Sequence, residues 1–116
     1  MEVYCYSKCS TCRKALKYLN ERQISYQVKD LKEMAPDKDS LRQWYQKSGL
    51  PLKRFFNTSG QIYKELGLKD KLASMSEEEQ LSLLSQNGML VKRPLVISSE
   101  CILVGFKEGE WDEKIQ

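Results

Sequence analysis

"CYSKCSTCRKAL", residues 5–16, places three cysteines within eight positions and then runs directly into a helical pattern. Upstream, the apolar stretch from Glu2 to Tyr6 reads as a buried strand. From Ser10 onward Cys12, Ala15, Leu16 and Leu19 recur at helical spacing, while Arg13, Lys14, Lys17 and Asn20 face outward. Ser10 or Thr11 is the expected N-cap, because a short hydroxyl side chain satisfies the free amides of a first turn. Next, "ISYQVKDL", residues 24–31, alternates Ile24, Tyr26 and Val28 with polar neighbours, the period of a second strand. Strand, helix and strand in about 30 residues form a βαβ unit, which implies a parallel strand pair.

Downstream the pattern is helical and then returns to strands. "PDKDSLRQWYQKSG", residues 36–49, puts Leu41, Trp44 and Tyr45 on one face and stops at Gly49. "SGQIYKELGL", residues 59–68, predicts a short helix carrying Ile62, Tyr63 and Leu66, stopped at Gly67. Ser76 followed by Glu79 predicts a capping box, opening a helix that carries Leu81, Leu83 and Leu84 and ends near Gly88. The apolar stripes of these helices are expected to pack a core. "RPLVIS", 93–98, and "CILVGF", 101–106, are apolar runs separated by Ser99-Glu100, the spacing of a hairpin. A last short helix is expected from Glu110 to Ile115. The fold class is therefore α/β, with a mixed sheet of about four strands in the order βαβ, helical insertion, ββα. The 116 residues are expected to form a single domain, with the insertion at about 37–88.

Composition bounds the function. Hydrophobic residues make up 41% and charged residues 30%, the balance of a water-soluble globular chain. No apolar run approaches the ~20 residues that span a bilayer, and Met1-Glu2-Val3-Tyr4 lacks the marks of a secretory signal. A cytoplasmic protein without membrane contact is expected. From Glu100 onward five acids face two lysines, a balance of −3, so residues 1–99 carry +6 of the net +3. That charge is too mild for direct DNA binding and suits a small anionic substrate or an acidic protein patch.

The chain has four cysteines and no histidine. In a reducing compartment such cysteines are catalytic, redox-sensing or metal-binding rather than disulfide-forming. The missing histidine removes every Cys–His and Ser–His mechanism and the commonest metal ligand. Cys5, Cys9 and Cys12 share the spacing of iron–sulfur loops in radical enzymes, but those loops need a far larger barrel. A zinc site would need Cys101 or a carboxylate as its fourth ligand. Cys5 and Cys101 fall in predicted strands, where free cysteine is a small buried hydrophobe, so no metal is expected. Cys9-Ser10-Thr11-Cys12 is different, because it lies where a strand passes into a helix. First-turn amides, the helix dipole, Lys8 and Arg13 surround Cys9 with positive charge, which favours a thiolate nucleophile. Cys12, one turn further in, can attack a mixed disulfide or sulfenate on Cys9 and close an intramolecular disulfide.

Three stretches also resemble a known family: "SKCSTCRKAL" (7–16), "FFNTSGQIYKELGLKDKL" (55–72) and "MLVKRPLVI" with "LVGFKEGEW" (89–97 and 103–111). They are similar, over essentially the whole chain, to the arsenate reductase (ArsC)/Spx family, which has a thioredoxin-like fold with a helical insertion. The resemblance implies that Cys9 is the nucleophile of a C-x-x-S/C-R loop containing Ser10 and Thr11, with Arg13 as its arginine. It implies a cis bond at Pro94, packed against the active cysteine, and an oxyanion-holding role for Arg93. A second family arginine falls on Asn57, with Arg54 close by, and a third falls on Gly105. A tetrahedral oxyanion needs several charge-assisted donors, which bidentate guanidinium groups supply best. One matched arginine implies weak arsenate binding.

The activity so implied is a thiol-dependent oxidoreductase with a Cys9/Cys12 pair, acting on a small oxyanion or a disulfide. No bound cofactor is implied; glutathione with glutaredoxin, or thioredoxin, would be the external reductant. The alternative is an Spx-type redox-sensing regulator that binds RNA polymerase. The short acidic end, in place of a longer basic tail, argues against it.

Overall fold

The computed structural model describes residues 1–115. The chain divides into two compact units, one formed by Met1–Asp30 with the segment from Arg93 onward, the other by Leu31–Lys92. The insertion expected at 37–88 lies within the second.

In the first unit, strands β1 (Glu2–Cys5), β2 (Gln27–Asp30), β3 (Leu95–Ile97) and β4 (Ile102–Val104) form one sheet in the order β2-β1-β3-β4. β1 runs parallel to β2, joined by helix α1 (Ser10–Glu21), and antiparallel to β3, which pairs antiparallel with β4. This is the expected mixed α/β sheet. Val3, Ala15, Leu19, Val96 and Leu103 are its buried centre. Helix α6 (Glu108–Lys114) begins two residues earlier than the pattern suggested and is anchored by the fully buried Trp111. The Trp111 indole N–H donates to the Gly105 carbonyl at 3.2 Å, and its ring meets Phe106 and Tyr18 edge-on at 4.8 and 5.6 Å.

β2 departs from its alternation. Only Gln27–Asp30 is strand, Ile24 and Tyr26 precede it, and Val28 is 51% exposed. The strand lies at the sheet edge, where one flank has no partner and alternation alone does not decide burial. Its Lys29 reaches Glu2 on β1 at 3.1 Å.

The second unit holds α2 (Lys38–Ser48), α3 (Gln61–Glu65), α4 (Leu68–Lys71) and α5 (Glu77–Gln86), with short 3-10 turns at Leu52–Phe55, Leu72–Ser74 and Gly88–Leu90. Helix α2 ends at Gly49, whose φ of +70° is the left-handed conformation that glycine adopts without steric cost. The capping box forms as predicted: the Ser76 hydroxyl accepts from the Glu79 amide at 3.1 Å, and Glu79 accepts from the Ser76 amide at 2.9 Å. α2 packs on α5, with Leu41, Leu81 and Leu84 buried. Leu66, expected on the apolar face of α3, is instead 42% exposed, because the helix ends at Glu65 and the chain turns at Gly67. One feature of this unit has no helical signature: an antiparallel bridge between Phe56 and Val91. It is flanked by the Asn57 amide donating to the Leu90 carbonyl at 2.7 Å and the Lys92 amide to the Phe55 carbonyl at 2.8 Å.

Candidate functional site

The site is built where β1 ends and α1 begins. The Cys9 amide donates to the Tyr6 carbonyl at 2.9 Å, closing the connecting turn, and the Cys9 carbonyl accepts from the Arg13 amide at 3.1 Å as the first helical bond. Cys9 itself is therefore the N-cap, and no side chain caps the helix. The expectation of Ser10 or Thr11 as cap is corrected. The helix begins one residue earlier than a hydroxyl cap would have it, which puts both hydroxyls inside the first turn. The cysteine so stands beside the free first-turn amides, at the positive end of the helix dipole.

The three cysteines differ in burial. Cys9 is partly exposed, whereas Cys5 and Cys12 are 3% and 1% exposed. All three are free thiols. Cys12 lies one helical turn inside Cys9 and, with Cys5, Leu16 and Val28, lines a cavity of about 240 Å³. A hydrogen bond from the Cys5 thiol is the main cause that pushes the Cys12 thiol down to about 6, against the opposing effect of burial. The Tyr6 amide, the Cys9 thiol and the charge of Arg93 act in the same direction. Cys5 is correspondingly pushed well up, first by its bond to Cys12 and then by burial. Of the two buried sulfurs, Cys12, the one supplied with a backbone amide, is the one whose thiolate is favoured.

Cys5 is the residue that sequence reasoning assigned to packing alone. It is buried on β1 as expected, but it also touches the chemistry of the C-x-x-C pair. The signal available was its position: the last residue of a strand that feeds the cysteine loop.

Among the anion-binding candidates, Arg93 belongs to this unit and its guanidinium carbon sits 5.5 Å from the centre of the Tyr6 ring. The Arg93–Pro94 bond is cis, and the Pro94 carbonyl accepts from the Gly105 amide at 2.8 Å. Gly105 has φ +79°, a conformation that an arginine would adopt only with strain. Arg13 and Ser10 are exposed on α1, with Thr11 half-buried. Asn57 lies in the second unit, where its side-chain carbonyl accepts from the Ser59 hydroxyl at 3.3 Å and its backbone holds the turn to Gly60. Arg54 belongs to that unit too. Among the described residues no three Cys, Asp or Glu side chains converge as a metal ion requires, and no helix is long and apolar enough to cross a membrane.

A four-stranded mixed sheet with a C-x-x-C at the start of its first helix and a cis-proline ahead of its third strand defines a thioredoxin-like protein. Residues 4–114 match the model of the ArsC family, and the chain belongs to that family. It is 53% identical to the uncharacterized protein YusI of Bacillus subtilis (strain 168) over 97% of this chain and 96% of the relative. It is also 24% identical to the global transcriptional regulator Spx of Streptococcus mutans, over 88% and 73% of the two chains. Among solved structures, an ArsC family related protein from Bacteroides fragilis shares 50% identity and superposes with a TM-score of 0.93, covering 97% of this chain and 94% of its own. One from Streptococcus mutans UA159, described as a possible arsenate reductase, shares 44% identity with a TM-score of 0.88 and 96% coverage of both chains.

Proposed function

We propose that this ArsC-family chain is a thiol–disulfide oxidoreductase in which Cys9 is the attacking thiolate and Cys12 the resolving one. The observation that carries this reading is the pairing of a partly exposed N-cap cysteine with a buried cysteine one turn behind it in the same helix. The Cys9 thiolate attacks one sulfur of a disulfide R–S–S–R′, forming a Cys9 mixed disulfide and expelling the R′ thiolate. The Cys12 thiolate then attacks Cys9 Sγ, expels the R thiolate and leaves a Cys9–Cys12 disulfide, so that two electrons have passed to the substrate. A thiol reductant, glutathione with glutaredoxin or thioredoxin, returns two electrons and restores both thiols.

Arginine supply argues for a disulfide rather than arsenate as substrate. Arg93 contributes positive charge near the sulfurs, while Asn57 and Gly105 stand where the resemblance calls for further guanidinium groups. In this reading Arg93 and the α1 amides at Ser10 and Thr11 favour the departing and attacking thiolates, and Arg13 adds charge at the helix start.

The test is Cys12→Ser with oxidised glutathione. The expected result is a mixed disulfide on Cys9 that accumulates and is seen by mass spectrometry, while the unaltered chain passes on to the internal disulfide. No adduct on Cys9 in the variant would sink the assignment. The relationship to Spx favours a second reading, a redox-sensing regulator that binds RNA polymerase. Capture of the polymerase α subunit by the oxidised chain, with no reductant consumed in turnover, would support that reading over the first.

A further inference from the structure

The second unit contains a cationic cavity that the thiol chemistry does not use. It encloses about 350 Å³ and is lined by Pro51, Lys53, Arg54, Phe56, Thr58 and Lys92. No carboxylate lines it. Among the described residues, none of Lys53, Arg54 and Lys92 takes part in an ion pair. Three like charges around one concavity repel one another, and a bound anion would relieve that repulsion.

The walls are held in place by backbone rather than by the side chains themselves. The Arg54 amide donates to the Pro51 carbonyl at 3.0 Å, fixing the 3-10 turn that carries Lys53 and Arg54. The Phe56–Val91 bridge and the Lys92 amide bond to the Phe55 carbonyl pin Lys92 beside that turn. The backbone segments that carry the charges are thus held side by side by hydrogen bonds. Phe56, 1% exposed, and Pro51 give the cavity an apolar side, and Thr58 offers a hydroxyl donor.

We propose that this cavity binds a small organic phosphate. Lys53, Arg54 and Lys92 hold the phosphate dianion, with Arg54 able to donate in bidentate fashion, and the Phe56 and Pro51 surface takes the apolar stem. The volume sits at the lower end of the roughly 300–1,000 Å³ of small-molecule sites, enough for a phosphate with one ring. The proposal is independent of Cys9 and Cys12, and its test involves neither.

Phenyl phosphate and inorganic phosphate serve as probes, titrated into the full-length chain by calorimetry and followed by amide shifts in NMR. Saturable one-to-one binding of phenyl phosphate is expected, about tenfold or more tighter than inorganic phosphate, with the largest shifts at Phe56 and Thr58. Arg54→Gln and Lys92→Gln should each weaken binding about fivefold or more, whereas Lys64→Gln, which removes an exposed charge from α3, should leave it unchanged. Absence of saturation overturns the proposal. Equal binding of the two probes removes the apolar half of it, and equal losses in Lys64→Gln and Lys92→Gln show only diffuse attraction and overturn the site. All three substitutions lie at exposed or half-exposed positions, so retained folding is checked by circular dichroism.

Discussion

Cys5 at the end of β1 and Cys12 in the first turn of α1 lie together in the buried cluster of the first unit and line one cavity. Hydrogen bonding from the Cys5 thiol is the largest of the effects that favour the Cys12 thiolate. Cys5→Ala should therefore move the Cys12 titration upward from about 6 toward the ordinary thiol value of about 8.5. Cys5→Ser, which keeps a donor, should move it less. Thiolate absorbance against pH in a Cys9→Ser, Cys101→Ser background, with and without the Cys5 change, reads Cys12 among the four cysteines. An unchanged midpoint in Cys5→Ala would refute the role of the bond.

Glu78, at the start of α5, takes Arg42 at 2.7 and 2.9 Å and Lys38 at 2.9 Å. These bonds, Arg42 first, hold its carboxyl down to about 2 from an ordinary 4.5. A depressed folded pKa contributes stability that is present above pH 4.5 and lost as pH falls through about 2. The unaltered chain should melt above Glu78→Gln at pH 7, and the gap in Tm should shrink to nothing near pH 2. Glu78 is 58% exposed and Lys38 and Arg42 are 36% and 31% exposed, so water and ions reach the cluster and added salt should narrow the gap as well. A gap that persists at pH 2 would show that the ion pairs do not cause it.

Trp111→Ala removes the anchor of α6. The ring is fully buried between Phe106 and Tyr18, and its N–H is satisfied by Gly105. Losses for aromatic-to-alanine changes at such sites are about 3–5 kcal/mol. Urea unfolding should show that loss, and a change under 1.5 kcal/mol, roughly half the lower bound of that range, would mean that α6 docks by other contacts.

Gly88→Ala tests close backbone approach in the second unit. A methyl group there would run into the Leu31 carbonyl, and a carbonyl cannot swing aside as a side chain can. Overpacking of this kind costs roughly 1–3 kcal/mol, and the upper part of that range is expected here by denaturant titration. Gly109→Ala, which meets nothing within 4 Å, is the matched control and should be near neutral.

Much of the fold was legible because its signals are local. The apolar period of 10–21, the Gly49 and Gly67 stops, the Ser76–Glu79 capping box and the terminal hairpin each depend on residues a few positions apart. β2 was less legible: its alternation suggested a half-buried strand, but its place at the sheet edge leaves Val28 in solvent. The helix starts at Ser10 as its pattern indicates, but its cap is Cys9 rather than a hydroxyl residue, because the turn bonded at Tyr6 holds the cysteine there.

By itself the sequence determined the chemistry on offer: a C-x-x-C at a strand-to-helix passage, no histidine, and an arginine before the proline of the third strand. Only the tertiary structure decided which groups act on one another. Cys5 meets Cys12 because a strand end and a helix start converge, and Lys92 joins Lys53 and Arg54 because a backbone bridge crosses more than thirty residues of chain. Residue type and spacing record what a side chain can do; burial, contact between thiols and the gathering of like charges arise only when distant segments are brought within a few ångströms, where electrostatic energies become large.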